Sequence, residues 1–581
     1  MKKHINLLLV FFALFSITSC NTHQEEPLPT ESPSTNNYID NFSYPNSKIP
    51  LGNFGDFLTS TSGNLNEKEL ISIYNELSEN IAGKKNDIFQ TNYQKGLLDF
   101  FDINNKVKIS LLTEIKDIKK INQYHEQGNE ESYRVCDLDI YINDLMFHYE
   151  DVGFRLKGNT SRGIVLNSNS SLNQRHYKLC FNEMFDDDFR DDNYTFKDEK
   201  EKEYRENRTF FGLEKLDIRW NKNKESTNIR EYYAFEMYRQ NNNLAPRSTP
   251  FNFEMNIGGN AQNAGVYLAV EPIDKDFIKR NVVDGYQGGD LYKLGWANYD
   301  CARFDSTNSH LFGVEKQSKN NGYFTTAKYV YDLKTNKKSS KHEDIKTFIN
   351  KILSTSKENF DSMLNEYTYY NSFINYLAIS YLLGDPDDLR GNYNNTYVYF
   401  IPYENQASKA YFIPTDHDRV LGQTGDPSGN PTGHHSTLSN PFDNNTGYGG
   451  ENTMPLFNKS IFENGNDIVK SDYIKSIDLL IENNWFDIEK FIDYYNKAYN
   501  NYKDCTKLGN RFTNDDVAFS LKESNDIYST DNLSIDIFFA TKVTNYLKYK
   551  ESLSTLSWSF FCYNPFLNWR IVGITLSSSS K

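Results

Sequence analysis

The chain has 581 residues, is 15% aromatic and carries a formal charge of −15 at neutral pH. That length accommodates one large or two ordinary domains with substantial cores. The excess of acid excludes nucleic acid as the main partner, because a phosphate backbone is held by Lys and Arg.

The N-terminus opens with Lys2 and Lys3, followed by an apolar run from Ile5 to about Ile17. With these flanks the run is too short to span a bilayer as a helix. It leads into Ile17-Thr18-Ser19-Cys20, a branched apolar residue, two small residues and a cysteine. That tetrapeptide resembles the bacterial lipobox, which implies cleavage before Cys20 and lipid on its thiol. Each buried acyl CH₂ contributes roughly 0.8 kcal/mol, so several chains anchor without a transmembrane helix. Removing residues 1–19 takes away two lysines and no acid, leaving a charge of −17. Residues 20–45 are polar and proline-containing and read as a disordered tether. The pair Glu25-Glu26 resembles the surface-export signal of Bacteroidetes lipoproteins, which implies the outer membrane and cell surface. The other five cysteines, Cys136, Cys180, Cys301, Cys505 and Cys562, form no CxxC pair and no zinc spacing, so buried free thiols are expected.

Residues 46–105 read as a helical extension, with Leu70, Ile73, Leu77 and Ile81, then Phe89, Tyr93, Leu97 and Leu98, at helical spacing. Strands follow. Residues 106–111 and 137–142 alternate, 152–157 leads into Gly158-Asn159-Thr160-Ser161, and 177–181 is a further short strand. An extended stretch at 213–220 precedes a helix with Ile229, Tyr233 and Met237 on one face. Gly258-Gly259-Asn260 predicts a hairpin turn, with no phosphate role. Helical patterns dominate the second half, including 373–383, 474–481 and 488–499. Strand-rich followed by helix-rich predicts an α+β class.

The stretch 373–422 carries the chemistry. A helix ends at Gly384, an acidic loop runs from Asp385 to Asn395, and a hairpin of 396–401 and 410–413 leads to Asp416-His417-Asp418-Arg419. Carboxylates and an Asn carbonyl are hard oxygen ligands suited to Mg²⁺ or Ca²⁺. Helix, acidic loop with Asn, hairpin and metal-binding Asp is also the order that protein kinases use for phosphoryl transfer. Asp, Asn, Gly and Pro are equally the residues of solvated turns, so for 385–395 alone both readings stand. His417 is read as a turn cap, and His434-His435 as part of a flexible loop.

Seven further segments occur together with this one. They are Arg155-Leu156-Lys157-Gly158-Asn159-Thr160-Ser161, Tyr177-Lys178-Leu179, Ile229-Arg230, 265–273 ending in Glu271-Pro272-Ile273, Gly289-Asp290-Leu291-Tyr292-Lys293, Asn395-Thr396-Tyr397-Val398-Tyr399 and Asn452-Thr453-Met454-Pro455-Leu456. With Ile413 to Arg419 they resemble, in order, the signatures of the CotH kinase family, spore-coat-protein-H-like proteins with an atypical protein-kinase fold. The resemblance implies a two-lobed kinase-like domain over 106–565, with an N-lobe at about 106–271 and a C-lobe at about 272–565. It implies that Lys157, Gly158, Asn159 and Ser161 cover phosphates, that Lys178 contacts phosphate and that Glu271 lies near an interlobe hinge by the cofactor. It implies Asp388 as the catalytic aspartate, and Asn395, Asp416 and Asp418 as metal ligands. Asp388 and Asn395 are seven residues apart where kinases have five, so Asp385 and Asp387 rival Asp388, and Asn392 and Asn394 rival Asn395. The implied activity is transfer of the ATP γ-phosphoryl group to a hydroxyl of a surface or envelope protein, with Mg²⁺ or Mn²⁺. The alternatives are a catalytically inactive surface binding or adhesion lipoprotein of the same fold, and transfer of another group in the same cleft.

Overall fold

The computed structural model describes residues 96–128, 131–159, 161–186, 194–241, 243–282, 286–297, 300–315, 319–320, 325–403, 407–423, 436–447, 450–513, 517–522 and 534–562. The signal segment, the tether and the extension up to residue 95 lie outside them, as do Thr160 and His434-His435. Residues 96–101 are helical, and Leu97, Phe100 and Phe101 join the first core.

The alternating segments close on themselves. Strands β1 (Val107–Thr113), β2 (Arg134–Ile142), β3 (Leu145–Leu156), β4 (Tyr177–Cys180), β5 (Lys215–Trp220), β6 (Ser248–Ile257) and β7 (Asn260–Val270) form a barrel in the order β1-β2-β3-β4-β5-β7-β6. Neighbours are antiparallel except at the closure, where β6 lies parallel to β1 with Ile109 opposite Phe253. Inward positions recur every second residue: Ile109, Leu111, Leu138, Ile140, Phe154, Leu156, Leu179, Leu216 and Ile218 are fully or almost fully buried. Each such side chain contributes roughly 1.5–3 kcal/mol by leaving water. Three helices are interleaved, α1 (Ile115–Gln127), α2 (Glu199–Asn207) and α3 (Arg230–Gln240). Gly258 and Gly259, at φ +61° and +80°, make the β6–β7 turn that the sequence predicts.

The second part follows α4 (Lys275–Asn281). Strands β8 (Leu291–Leu294), β9 (Phe312–Gly313), β12 (Tyr331–Leu333), β13 (Thr396–Ile401) and β14 (Lys409–Pro414) form a five-stranded sheet ordered β14-β13-β8-β12-β9, while β10 (Lys319–Asn320) and β11 (Thr325–Thr326) pair separately. Helices α5 (Glu343–Ser354), α6 (Phe360–Tyr367), α7 (Tyr370–Leu383), α8 (Leu389–Asn392), α9 (Pro455–Ser460), α10 (Asp467–Glu482), α11 (Ile488–Tyr502) and α12 (Ile535–Cys562) complete it. Helix α7 is buried on nearly every side, as its continuous apolar sequence requires. It stops at Gly384, whose left-handed φ of +64° turns the chain into the acidic loop.

The α+β expectation therefore stands at class level. The strand-rich part, however, is a closed seven-stranded barrel, and the helix-rich part carries a sheet of its own. Cys136, Cys180 and Cys301 are buried thiols and Cys505 is half-buried. No described helix is long and apolar enough to cross a membrane.

Candidate active site

One outer wall of the barrel is charged yet covered. Alternation sends Leu156, Leu179, Leu216 and Ile218 inward, so Lys157, Lys178, Asp217 and Arg219 project outward beside one another from β3, β4 and β5. Asp217 is 6% exposed and sits between two ammonium groups: Lys178 Nζ lies 2.8 Å from Oδ1, and Lys157 Nζ contacts Oδ2. Burial alone would raise this carboxyl, but Lys157 and then Lys178 outweigh it and hold Asp217 well below the usual range. Lys157 continues directly into Gly158, at φ +97°. A Cβ there would fall 1.9 Å from Ser161 Oγ, which donates to the Lys157 carbonyl at 3.1 Å. Only glycine allows this tight turn, and Asn159 stands exposed on it.

Opposite this wall lie the two loops of the second part. Thr415 N–H donates to the Asn395 carbonyl at 3.1 Å, which fastens the end of β14 to the end of the acidic loop. Asp387 accepts the side-chain amides of Asn392 at 2.6 Å and Asn395 at 3.2 Å. Tyr393, Asn395 and Asp416 all have left-handed backbones, at φ +55°, +50° and +60°. Strained conformations of this kind gather at functional sites. Asp416 is half-exposed and reaches the barrel, its Oδ1 accepting Arg219 Nη1 at 2.7 Å. Against desolvation, Arg219, then Lys157 and Lys293, hold Asp416 well below the usual carboxylate range. Arg219 Nη1 also contacts Glu231 Oε1 on the first turn of α3, so one guanidinium joins barrel, helix and hairpin.

The neighbouring acids behave in the opposite way. Burial and then the negative charge of Asp416 push Asp418 up to about 6. Burial likewise pushes Asp387 up to about 6, helped by Asp385 and Asp416 and opposed by the Asn392 amide. Carboxylates that raise one another form a site that a cation relieves. Among the described residues no three acids, imidazoles or thiols close a metal cage of their own. Mg²⁺ ordinarily takes one or two carboxylates, waters and substrate phosphates, so two of the carboxylates Asp387, Asp416 and Asp418, with the Asn395 amide oxygen, have the chemistry such an ion needs when phosphates complete its shell.

Lys157 and Lys178 are thus joined through Asp217, and Asp416 faces Arg219 and Lys157 with Asp418 beside it and Asn395 at the loop end, while Gly158, Asn159 and Ser161 form the turn after Lys157. Asp388 points elsewhere. Its Oδ1 accepts Gly391 N–H at 2.7 Å as the N-cap of α8, and its Oδ2 accepts Ser380 Oγ. Its carboxylate is committed to holding the loop, and the acid of this loop that faces the cluster is its rival Asp387. Glu271 requires a similar correction. It ends β7 at the junction, but Arg247 Nη1 at 2.8 Å and Arg280 Nε at 2.9 Å take both oxygens, and the side chain is fully buried. These contacts tie the barrel to α4 and leave neither oxygen open to a ligand. His417 does more than cap a turn. Its Nδ1 meets Asp385 Oδ2 at 2.7 Å, its ring stacks on Tyr238, and its backbone N–H donates to Glu231 at 3.2 Å. Asp217, Arg219 and Glu231 escaped the sequence reading. The available signal was the outward charge pair in Lys215-Leu216-Asp217-Ile218-Arg219-Trp220, followed by an acid in the first turn of the next helix.

This arrangement sets two lysines and an arginine on a barrel wall against carboxylates and an amide from two loops. A family model described as CotH kinase protein matches residues 155–507, more than half the chain, and the chain belongs to that family. Membership makes it a kinase-like protein. A comparison with curated proteins finds no match.

Proposed function

We propose that the chain is a lipid-anchored, exported protein kinase that transfers the γ-phosphoryl group of ATP to a protein hydroxyl. The observation that carries this reading is that Asp416 accepts Arg219 at 2.7 Å from the barrel wall that also carries Lys157 and Lys178, with Asp387, Asp418 and Asn395 on the same two loops. In this reading the barrel is the N-lobe and the remainder the C-lobe of a kinase-like pair. Lys157 and Lys178 hold phosphate oxygens, and the Gly158 turn lies over them. Asp416, Asp418 and Asn395 hold Mg²⁺ or Mn²⁺, whose charge offsets that of the phosphates. Asp387, at about 6, is mostly ionised at neutral pH and accepts the proton of the acceptor hydroxyl.

The test is incubation of the full chain with γ-labelled ATP, Mg²⁺ or Mn²⁺ and envelope proteins. Label on protein, identified as phosphate by mass spectrometry and lost in Asp416→Asn, is expected. Label that persists in that variant overturns the site.

One observation favours a second reading, a surface binding module without turnover. Asp217 already matches both lysines, and Asp416 and Glu231 match Arg219, so the cleft is neutralised by the chain itself. A working site gains stability as RT ln(1 + [L]/Kd). A melting temperature unmoved by ATP with Mg²⁺ supports the binding module.

The membrane reading rests on Ile17-Thr18-Ser19-Cys20 and the acidic pair Glu25-Glu26. It places the chain at the outer membrane and cell surface. Metabolic labelling with a fatty acid is expected to mark the chain and to fail in Cys20→Ser. Protease shaving of intact cells tests exposure.

A further inference from the structure

The phosphotransfer reading uses Asp387, Asp416 and Asp418 but leaves Asp385 and His417, their close neighbours in the chain, without a task. Both are enclosed, at 0% and 1% exposure. Buried polar groups need partners, and these two find each other across two loops. Asp385 follows Gly384 and opens the acidic loop, while His417 stands on the loop that leaves β14. The two oxygens of Asp385 are divided between those loops. Oδ1 accepts the Asp387 N–H at 2.8 Å, and Oδ2 lies 2.7 Å from His417 Nδ1. One carboxylate therefore holds the backbone of Asp387 and the side chain that stands between Asp416 and Asp418.

The imidazole is fixed on its other sides by α3. It stacks on Tyr238 with centroids 5.4 Å apart and meets Phe235 edge-on at 5.6 Å. Nε2 is buried with no hydrogen-bond partner among the described residues, so the polar attachment of the ring is the one to Asp385. Asp416, the residue before it, has φ +60°, which a residue other than glycine keeps only when its surroundings hold it there. Thr415 is tied to the Asn395 carbonyl on one side, and His417 to Glu231 and Asp385 on the other. The Asp416 backbone is pinned from both ends. An apolar pair of similar volume often stabilises a core as well as a buried ion pair does. It would not supply a directional tie between the loop of Asp387 and the loop of Asp416.

We propose that Asp385 and His417 are a positioning pair that sets the separation of Asp387, the proton acceptor, from Asp416 and Asp418, the metal ligands. The proposal rests on the phosphotransfer reading for its purpose, but the tie between the loops is measurable without nucleotide or metal.

The experiment uses the full chain. Hydrogen exchange read by mass spectrometry, on the chain alone, follows residues 385–395 and 415–419. His417→Phe keeps a ring against Tyr238 and removes Nδ1. It is expected to speed exchange of 385–395 at least about tenfold, although the substitution lies in the other loop. Asp385→Ser keeps a hydroxyl that accepts the Asp387 N–H but does not reach His417, and it is expected to speed exchange of 415–419. With γ-labelled ATP, each variant is expected to lower kcat about 10²-fold and to leave the ATP KM within about twofold. Combined, the two are expected to lose no more than either alone, as groups that act as a unit do. His417→Asn, whose amide N–H takes the place of Nδ1, is expected to recover kcat to within about fivefold of the parent chain.

Unchanged exchange in the opposite loop overturns the proposal. So does a loss of stability in urea with the kcat of the folded protein intact, or a raised ATP KM with kcat unchanged. Losses that add in the combined variant, or a His417→Asn as slow as His417→Phe, also overturn it. Should His417→Phe fold poorly, Asp385→Ser carries the same test from the other side. Exchange that quickens across the pair, with no transfer by the parent chain to any protein, leaves the tie standing and fails the phosphotransfer reading instead.

Discussion

Arg219 Nη1 and Asp416 Oδ1 lie 2.7 Å apart, across the space between the barrel wall and the end of the β13–β14 hairpin. The same nitrogen holds Glu231 of α3, which is 11% exposed, so a single guanidinium sets the spacing of three elements. Removing one partner of a buried ion pair leaves the other charged and unsolvated. Arg219→Ala is expected to cost about 3–5 kcal/mol in urea denaturation by stranding Glu231. Arg219→Met with Glu231→Leu is expected to recover most of that stability while nucleotide-dependent labelling stays lost. A double variant as unstable as the single one would place the cost elsewhere.

Asp387 and Asp388 are adjacent in the chain but have opposite duties. Asn caps a helix about as well as Asp, so Asp388→Asn is expected to keep the α8 cap and leave labelling within a few-fold. Asp388→Ala is expected to lower stability by about 1–2 kcal/mol. Asp387→Asn is expected to reduce labelling by ~10²–10⁴ without comparable loss of stability, as befits a group that takes a proton. An active Asp387→Asn beside an inactive Asp388→Asn would return the catalytic role to Asp388.

The pH dependence follows from Asp387 and Asp418, both held at about 6 by burial and then by neighbouring acids or charge. Their unfolded values are about 3.9, so over this window the folded chain binds more protons than the unfolded chain. Their contribution to stability is therefore fully present below about pH 4 and is lost as pH rises through about 6. Above that, both are ionised, and a divalent cation gains most. Thermal melts are expected to show a larger Mg²⁺-induced rise at about pH 7.5 than at about pH 5, the difference shrinking in Asp387→Asn with Asp418→Asn. An Mg²⁺ effect that is flat with pH would remove these acids from the metal site.

Glu271 separates a structural role from a ligand role. With Arg247 and Arg280 on its two oxygens and none of its side chain exposed, Glu271→Gln leaves a buried guanidinium uncompensated. A loss of about 3–5 kcal/mol is expected, with the ATP KM of the remaining folded protein unchanged. A raised ATP KM without loss of stability would restore the cofactor role.

Most of the local elements were legible. The alternations at 106–111, 137–142 and 177–181 fall on β1, β2 and β4, and the apolar run 373–383 on α7, because side-chain periodicity is a local property. The acidic loop and the hairpin after it were readable for the same reason, since Gly384, Pro386 and the Asn run mark turns. Barrel closure was not readable, because the parallel pairing of β1 with β6 joins residues more than a hundred positions apart and has no local sign. Nor was the choice between Asp387 and Asp388, which turns on which carboxyl reaches the Gly391 amide. Burial of Arg219 was hidden because charged strand faces ordinarily meet water, and its cover includes Asp416 from the second part. Glu271 misled for a related reason: its two arginines, Arg247 and Arg280, come from different elements.

The parallel contact of β6 with β1 has a consequence for how neighbours can approach. Where a barrel strand is paired on both sides, as Tyr267–Val270 of β7 is by β5 and β6, it offers no row of unsatisfied amides and carbonyls on which a foreign strand could settle. Recruitment by backbone addition, a common route to both partners and fibres, is closed along that seam of the molecule. Whatever it recognises there must be read by side chains and loops.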